Sequence, residues 1–156
     1  MYIYKVQPLN QLIMTTPTKP NTGFWIIAII ALIWNCMGVF QFLSMSLMKE
    51  ELQQAMTVEQ IALVDSLPSW YTAVFATAVF GGLLGSLFLL IRKRWAIPMF
   101  LISLVAVLVQ MLYWLLATAA MDVYGTGAVV MPLLVIIVAI FLYYYSKGAA
   151  QKGWLR

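Results

Sequence analysis

Four long runs of apolar residues, separated by short polar segments, dominate the chain. The runs cover about residues 24–46, 70–91, 96–118 and 128–145. At a rise of 1.5 Å per residue, a helix of about 20 residues crosses the roughly 30 Å hydrocarbon core of a bilayer. The pattern therefore predicts an all-α membrane protein, an antiparallel bundle of four transmembrane helices.

The polar segments predict the remaining organisation. Residues 1–23 are polar and interrupted by proline, which predicts a disordered cytoplasmic tail in which Met14 is an alternative natural start. Residues 49–69 carry four of the five acidic side chains and predict an outer loop. In this loop, Thr57 followed three residues later by Gln60 is typical of a capping box, so we expect a short surface helix there.

The basic residues lie asymmetrically about the four spans. Lys49 falls on the side of the outer loop, whereas the other eight fall on the opposite side, mainly in the 92–94 loop and in a predicted basic tail over 147–156. By the positive-inside rule, the side richer in Lys and Arg is cytoplasmic. An even number of spans then predicts that both termini are cytoplasmic.

Composition narrows the classes of function. The chain is 64% hydrophobic and 9% charged, whereas soluble domains are about half apolar and a quarter charged. Its net charge of +4 is spread over tails and one loop, a distribution that argues against nucleic-acid binding. The sequence has no histidine and a single cysteine, Cys36, so it offers no nucleophile with a base beside it and no metal or cofactor motif. We therefore expect neither an enzyme nor a cofactor.

Uncharged polar side chains inside the spans are the candidates for function, because no Asp, Glu, Lys, Arg or His lies well inside any span. Asn35 and Gln110 lie about 16 and about 20 Å from the cytoplasmic ends of their helices, and Gln41 lies further along the first span. These amides either only hydrogen-bond neighbouring helices or face an uncharged polar solute. The aromatic residues that would wall such a site are Trp34, Tyr113 and Trp114.

The second span carries small residues at every fourth position, ending in Gly81 and Gly85. Such a stripe lets another helix approach closely. The approaching helix would belong either to the same bundle or to another subunit of a homo-oligomer. Because four helices enclose little space for a hydrated route, we expect a transporting form to oligomerise, with Gly81 and Gly85 as one candidate seam.

Several short motifs carry a resemblance to other sequences. They are Phe24-Trp25-Ile26-Ile27, Trp34-Asn35, Gly81-Gly82-Leu83-Leu84-Gly85, Asp122-Val123-Tyr124-Gly125, Ser146-Lys147 and Lys152-Gly153-Trp154. From about Met14 to its end, the chain resembles a group of short bacterial four-span membrane proteins, mostly uncharacterised and sometimes labelled sugar transporter. The resemblance implies a bacterial inner membrane and a transport role, and it implies no particular binding residue.

Two functions remain open at this point. In the first, the chain is a transporter or facilitator component for a small neutral, sugar-like solute. In the second, it is a non-transporting interaction or accessory protein of the lipid bilayer, whose outer loop contacts a partner. Replacing Asn35 and Gln110 by Leu discriminates between them, because uptake would be lost in the first case and partner binding would be kept in the second.

Overall fold

The four apolar runs form helices in the computed structural model, which describes residues 19–156. This part of the chain contains seven helices and no strand. The helices are α1 (Thr22–Leu47), α2 (Lys49–Gln54), α3 (Val58–Asp65), α4 (Ser69–Leu90), α5 (Ala96–Ala117), α6 (Ala120–Tyr124) and α7 (Gly127–Gln151). Helices α1, α4, α5 and α7 are long and apolar enough to cross a membrane. The prediction of an all-α protein with four helices long and apolar enough to span a membrane is therefore confirmed for the described residues.

Helix α1 begins two residues before the predicted span because Asn21 caps it. The Asn21 side-chain oxygen accepts a hydrogen bond from the Phe24 N–H at 2.9 Å, an interaction worth about 1 kcal/mol in typical helices. The predicted tail over residues 1–23 lies mostly outside the described residues, and the alternative start at Met14 lies wholly outside them.

Helix α7 is longer than the predicted span over 128–145 and continues to Gln151. The additional turns bury Ser146 and Ala149 against the bundle. Hydropathy alone predicts that the span ends at residue 145. The residues that follow are mostly polar, and the buried residues among them are small and contribute little hydropathy.

The segment after α7 folds back onto the short loop between α4 and α5. The Arg156 N–H donates to the Arg92 carbonyl at 2.7 Å, and the Arg94 N–H donates to the Arg156 carbonyl at 3.0 Å. The Arg92 Nε also donates to the Trp154 carbonyl at 2.8 Å, and Leu155 is only 2% exposed. The region predicted as a basic tail is therefore packed against the bundle at this end, which we call the basic end.

Consecutive long helices are neighbours: α1 packs on α4, α4 on α5 and α5 on α7. Helices α1 and α7 are the outer members of this row. Their ring contacts lie at the basic end, where Phe24 stacks on Tyr145 with centroids 6.4 Å apart and meets Trp154 edge-on at 5.6 Å. The two helices are therefore joined at the basic end.

A core of buried apolar side chains fills the basic end of the bundle. Phe24, Leu89 and Ala96 are fully buried there. The complete set is Phe24, Ala28, Ala31, Leu89, Ala96, Phe100, Leu142, Ala149 and Leu155. These contacts draw on all four long helices and on the fold-back segment, so they close the bundle at this end.

Three short helices cover the opposite end, which we call the loop end. The predicted capping box of α3 is confirmed: the Thr57 hydroxyl accepts from the Gln60 N–H at 3.3 Å, and the Gln60 side chain accepts from the Thr57 N–H at 3.1 Å. Lys49 of α2 pairs with Asp65 of α3 at 2.7 Å. Leu63 of α3 is buried against α6 and α7, so this loop is folded onto the bundle.

Candidate functional site

A cavity of about 710 Å³ lies among the four long helices. Small-molecule sites typically measure about 300 to 1,000 Å³, so the space suits a small ligand. Its walls come mostly from the halves of the helices nearer the loop end. The three amides identified from the sequence, Asn35, Gln41 and Gln110, all line it.

The wall formed by α4 and α5 depends on two glycines. A Cβ at Gly85 would lie 2.7 Å from the Phe100 ring, and a Cβ at Gly81 would lie 3.3 Å from Ser103 Cβ. Both glycines are buried, and α5 occupies the face that they leave open. At Gly81 and Gly85, the small-residue stripe therefore packs against α5 of the same chain.

Asn35 joins α1 to α4. Its Nδ2 donates to the Ala31 carbonyl at 2.8 Å and to the Ser86 hydroxyl at 2.9 Å. Ser86 in turn donates to the Gly82 carbonyl at 2.9 Å. The Asn35 side-chain oxygen occupies the place that a Cβ at Gly82 would take. For Asn35, the structure thus shows the hydrogen bonding between helices that the packing interpretation expects.

Gln110 is more deeply buried than Asn35. It is only 4% exposed, yet its Oε1 atom has no hydrogen-bond partner among the described residues. The Tyr71 hydroxyl lies within hydrogen-bonding reach of the same amide. An unpaired buried acceptor costs about 1 to 3 kcal/mol, and Gln110 is one of the residues that line the cavity.

Gln41 occupies the edge of the cavity on α1. Its side chain is exposed and lines the cavity. Being nearer the loop end than Asn35, it provides a second uncharged polar group that is free to contact a ligand at the mouth.

The cavity is enclosed unequally on its different sides. On α4 and α5 its lining residues are largely buried, as Ala78 and Val107 show at 4% and 6% exposure. On α1 and α7, by contrast, the lining residues Met37, Phe40 and Met131 are 62%, 72% and 65% exposed. The cavity is therefore open between α1 and α7.

The two ends of the cavity are covered. At the loop end, Val64 and Leu67 from the α3 region and Tyr124 of α6 contribute to the lining. At the basic end, Phe100 and Leu142 belong to both the lining and the buried core. The cavity is thus a blind recess with an opening on its side.

Among residues 19–156, those that line the cavity include no Asp, Glu, Lys, Arg or His. Within residues 19–156, no group of acidic, cysteine or histidine side chains is arranged to hold a metal ion. The polar groups of the recess are amides and hydroxyls, and they lie among methionine, valine and aromatic side chains.

Sequence reasoning found part of this lining and missed the rest. Of the expected aromatic walls, Trp34 and Trp114 line the cavity, whereas Tyr113 packs outside it on Trp70 at 4.8 Å. The contribution of Tyr71 was missed. A further set missed from the sequence consists of the methionines Met37, Met45, Met56, Met111 and Met131. The cavity is lined by residues from four helices and a loop. The spacing of methionines along any one helix therefore does not predict that they line the same cavity.

Comparison of the chain with known protein families, curated proteins and solved structures finds no match. The fold and the cavity are therefore the basis for proposing a function.

Proposed function

We propose that this membrane protein binds a small uncharged solute in the cavity and acts as a transporter or facilitator component for it. The observation that carries the proposal is the unpaired Oε1 of Gln110 at the wall of an uncharged recess of about 710 Å³. The donor group of Asn35, by contrast, is satisfied within the helix packing by the Ala31 carbonyl and the Ser86 hydroxyl. A solute with a hydroxyl or amide donor would satisfy the Gln110 acceptor.

The electrostatics of the recess favour a neutral solute. Transferring an ion into a low-dielectric site without a partner of opposite charge is strongly unfavourable, and no lining residue in the described part of the chain supplies that charge. Each hydrogen bond to an uncharged group, by contrast, contributes about 0.5 to 1.5 kcal/mol net.

The proposal retains the orientation expected from the basic residues, with both termini in the cytoplasm of a bacterial inner membrane. In that orientation, the basic-end core separates the recess from the cytoplasm. Transport then requires a second state in which the contacts of Phe100 and Leu142 in this core open. Homo-oligomerisation is not required to form the recess, because one chain encloses it.

Uptake into proteoliposomes tests the proposal. We expect saturable uptake of at least one member of a panel of labelled neutral sugars and polyols, and a loss of that uptake in Gln110→Leu. Gln151→Leu is the matched control, because the same side chain is replaced at an exposed position at the end of α7, outside the cavity lining.

The variant at Gln110 is a cleaner probe than the variant at Asn35. Replacing Asn35 would also break the link to Ser86 and disturb the fold. If well-folded protein transports no member of the panel, transport of a sugar or polyol is rejected and the alternative of an accessory protein is favoured.

A further inference from the structure

We infer that the solute is an amphiphile with an apolar chain and an uncharged hydroxyl head, and that it enters the recess sideways from the bilayer, between α1 and α7. The inference rests on the proposed function, because it names the class of solute that the cavity binds. It depends on three observations: the position of the opening, the balance of polar and apolar walls, and the location of the free acceptor.

The opening faces the region that lipid occupies. Met37 and Phe40 on α1 and Met131 on α7 combine high exposure with a place in the lining. All three lie within helices that are long and apolar enough to span a membrane. The loop end is covered by Val64, Leu67 and Tyr124, so the less obstructed route to the recess runs through the bilayer.

The walls suit an apolar chain more than a sugar. Methionine, valine and aromatic side chains make up most of the lining, and methionine adapts its shape to flexible apolar ligands. A sugar would bring many hydroxyls, and burying a hydroxyl without a partner is unfavourable. The few polar groups of the recess can satisfy a small head but not a whole sugar ring.

Hydrogen-bond acceptors of the recess determine where the polar end of the ligand binds. Gln110 Oε1 is buried and unpaired. On α7, Pro132 has no N–H, so the Ala128 carbonyl one turn earlier lacks its usual helical donor, and both residues line the recess. A hydroxyl, which donates a hydrogen bond, matches these acceptors, whereas the methyl ether of the same chain, which has no donor, does not.

A fluorescence titration compares those two ligands directly. Wild-type protein in phosphatidylcholine nanodiscs is titrated with a long-chain alcohol that carries bromine on its chain, and separately with the methyl ether of that alcohol. Bromine quenches tryptophan, and Trp34 and Trp114 line the recess. We expect saturable quenching with both ligands, with the alcohol binding about three- to tenfold more tightly, as one hydrogen bond allows.

Two variants test where the ligand binds, one through the preference for the alcohol and the other through the quenching. In Gln110→Leu, the preference for alcohol over ether should fall, because one of the two acceptors is gone. In the double variant Trp34→Phe, Trp114→Phe, the saturable component of the quenching should disappear. Equal affinity of the alcohol and the ether for wild-type protein, or quenching that rises without saturation for both, would overturn the inference without depending on the folding of any variant.

The outcome also separates this inference from the proposed function. Saturable sugar uptake that depends on Gln110, without saturable alcohol binding, would support transport of a small solute and reject the amphiphile. Selective alcohol binding without uptake of the sugar panel would support the amphiphile and reject sugar transport. Failure of both measurements would reject both.

Discussion

Replacing Gly85 by Ala should destabilise the bundle, because the new methyl group has no room. Its Cβ would lie 2.7, 2.9 and 3.0 Å from three atoms of the Phe100 ring. That ring is 2% exposed and held in the basic-end core, so it cannot turn away freely. Overpacking of this kind costs about 1 to 3 kcal/mol.

Gly148→Ala provides the matched control. Gly148 also lies inside a long helix, α7, and a Cβ there meets nothing within 4 Å. Alanine is favoured over glycine in a helix by up to about 1 kcal/mol at either site. The difference in stability between the two variants therefore isolates most of the overpacking term, and we expect Gly85→Ala to be about 1 to 3 kcal/mol less stable than Gly148→Ala.

Reversible unfolding in mixed micelles, followed by circular dichroism, measures this difference. Gly81→Ala should give an intermediate result, since its Cβ would lie 3.3 Å from Ser103 Cβ. If Gly85→Ala is as stable as Gly148→Ala, then α4 and α5 do not pack as closely as described, and the cavity wall that they form is misplaced.

Two further predictions concern contacts away from that wall. In a double-mutant cycle of Asn35→Ala and Ser86→Ala, unfolding should give a coupling energy of about 0.6 kcal/mol, typical of a hydrogen bond between membrane helices; additive effects would argue against the bond. Leu155→Ala should cost about 2 to 5 kcal/mol because the side chain is buried in the basic-end core, whereas Leu116→Ala, at 81% exposure, should leave the melting temperature nearly unchanged. Equal melting temperatures of these two variants would contradict the fold-back.

The fold could be predicted from the sequence because length and apolarity are sufficient to identify a spanning helix. The capping box could also be predicted, because its two residues, Thr57 and Gln60, are only three positions apart in the sequence. The structure of residues 147–156 could not be predicted in the same way. Their order depends on backbone hydrogen bonds to Arg92 and Arg94, more than fifty positions earlier, which no local pattern encodes.

The candidate site could be predicted only in part. Depth in the membrane identified Asn35 and Gln110 as similar amides, yet the structure gives them different surroundings. Asn35 meets Ser86, whose position opposite it depends on how α1 packs on α4, whereas Gln110 keeps an unpaired oxygen. Which group pairs with a buried amide depends on how the helices pack. The sequence alone therefore leaves two interpretations, helix packing and solute binding, open for Asn35 and Gln110.

Binding of an uncharged solute at Gln110 can be tested most directly by solute-induced stabilisation of the purified protein. A ligand that binds only the folded state at a concentration about 100 times its Kd stabilises that state by about 2.7 kcal/mol. We predict that a neutral hydroxyl-bearing solute raises the melting temperature of the wild type and of Gln151→Leu, and that this rise is largely lost in Gln110→Leu. An equal rise in all three proteins, or no rise in the wild type with any neutral sugar, polyol or long-chain alcohol, would contradict the account.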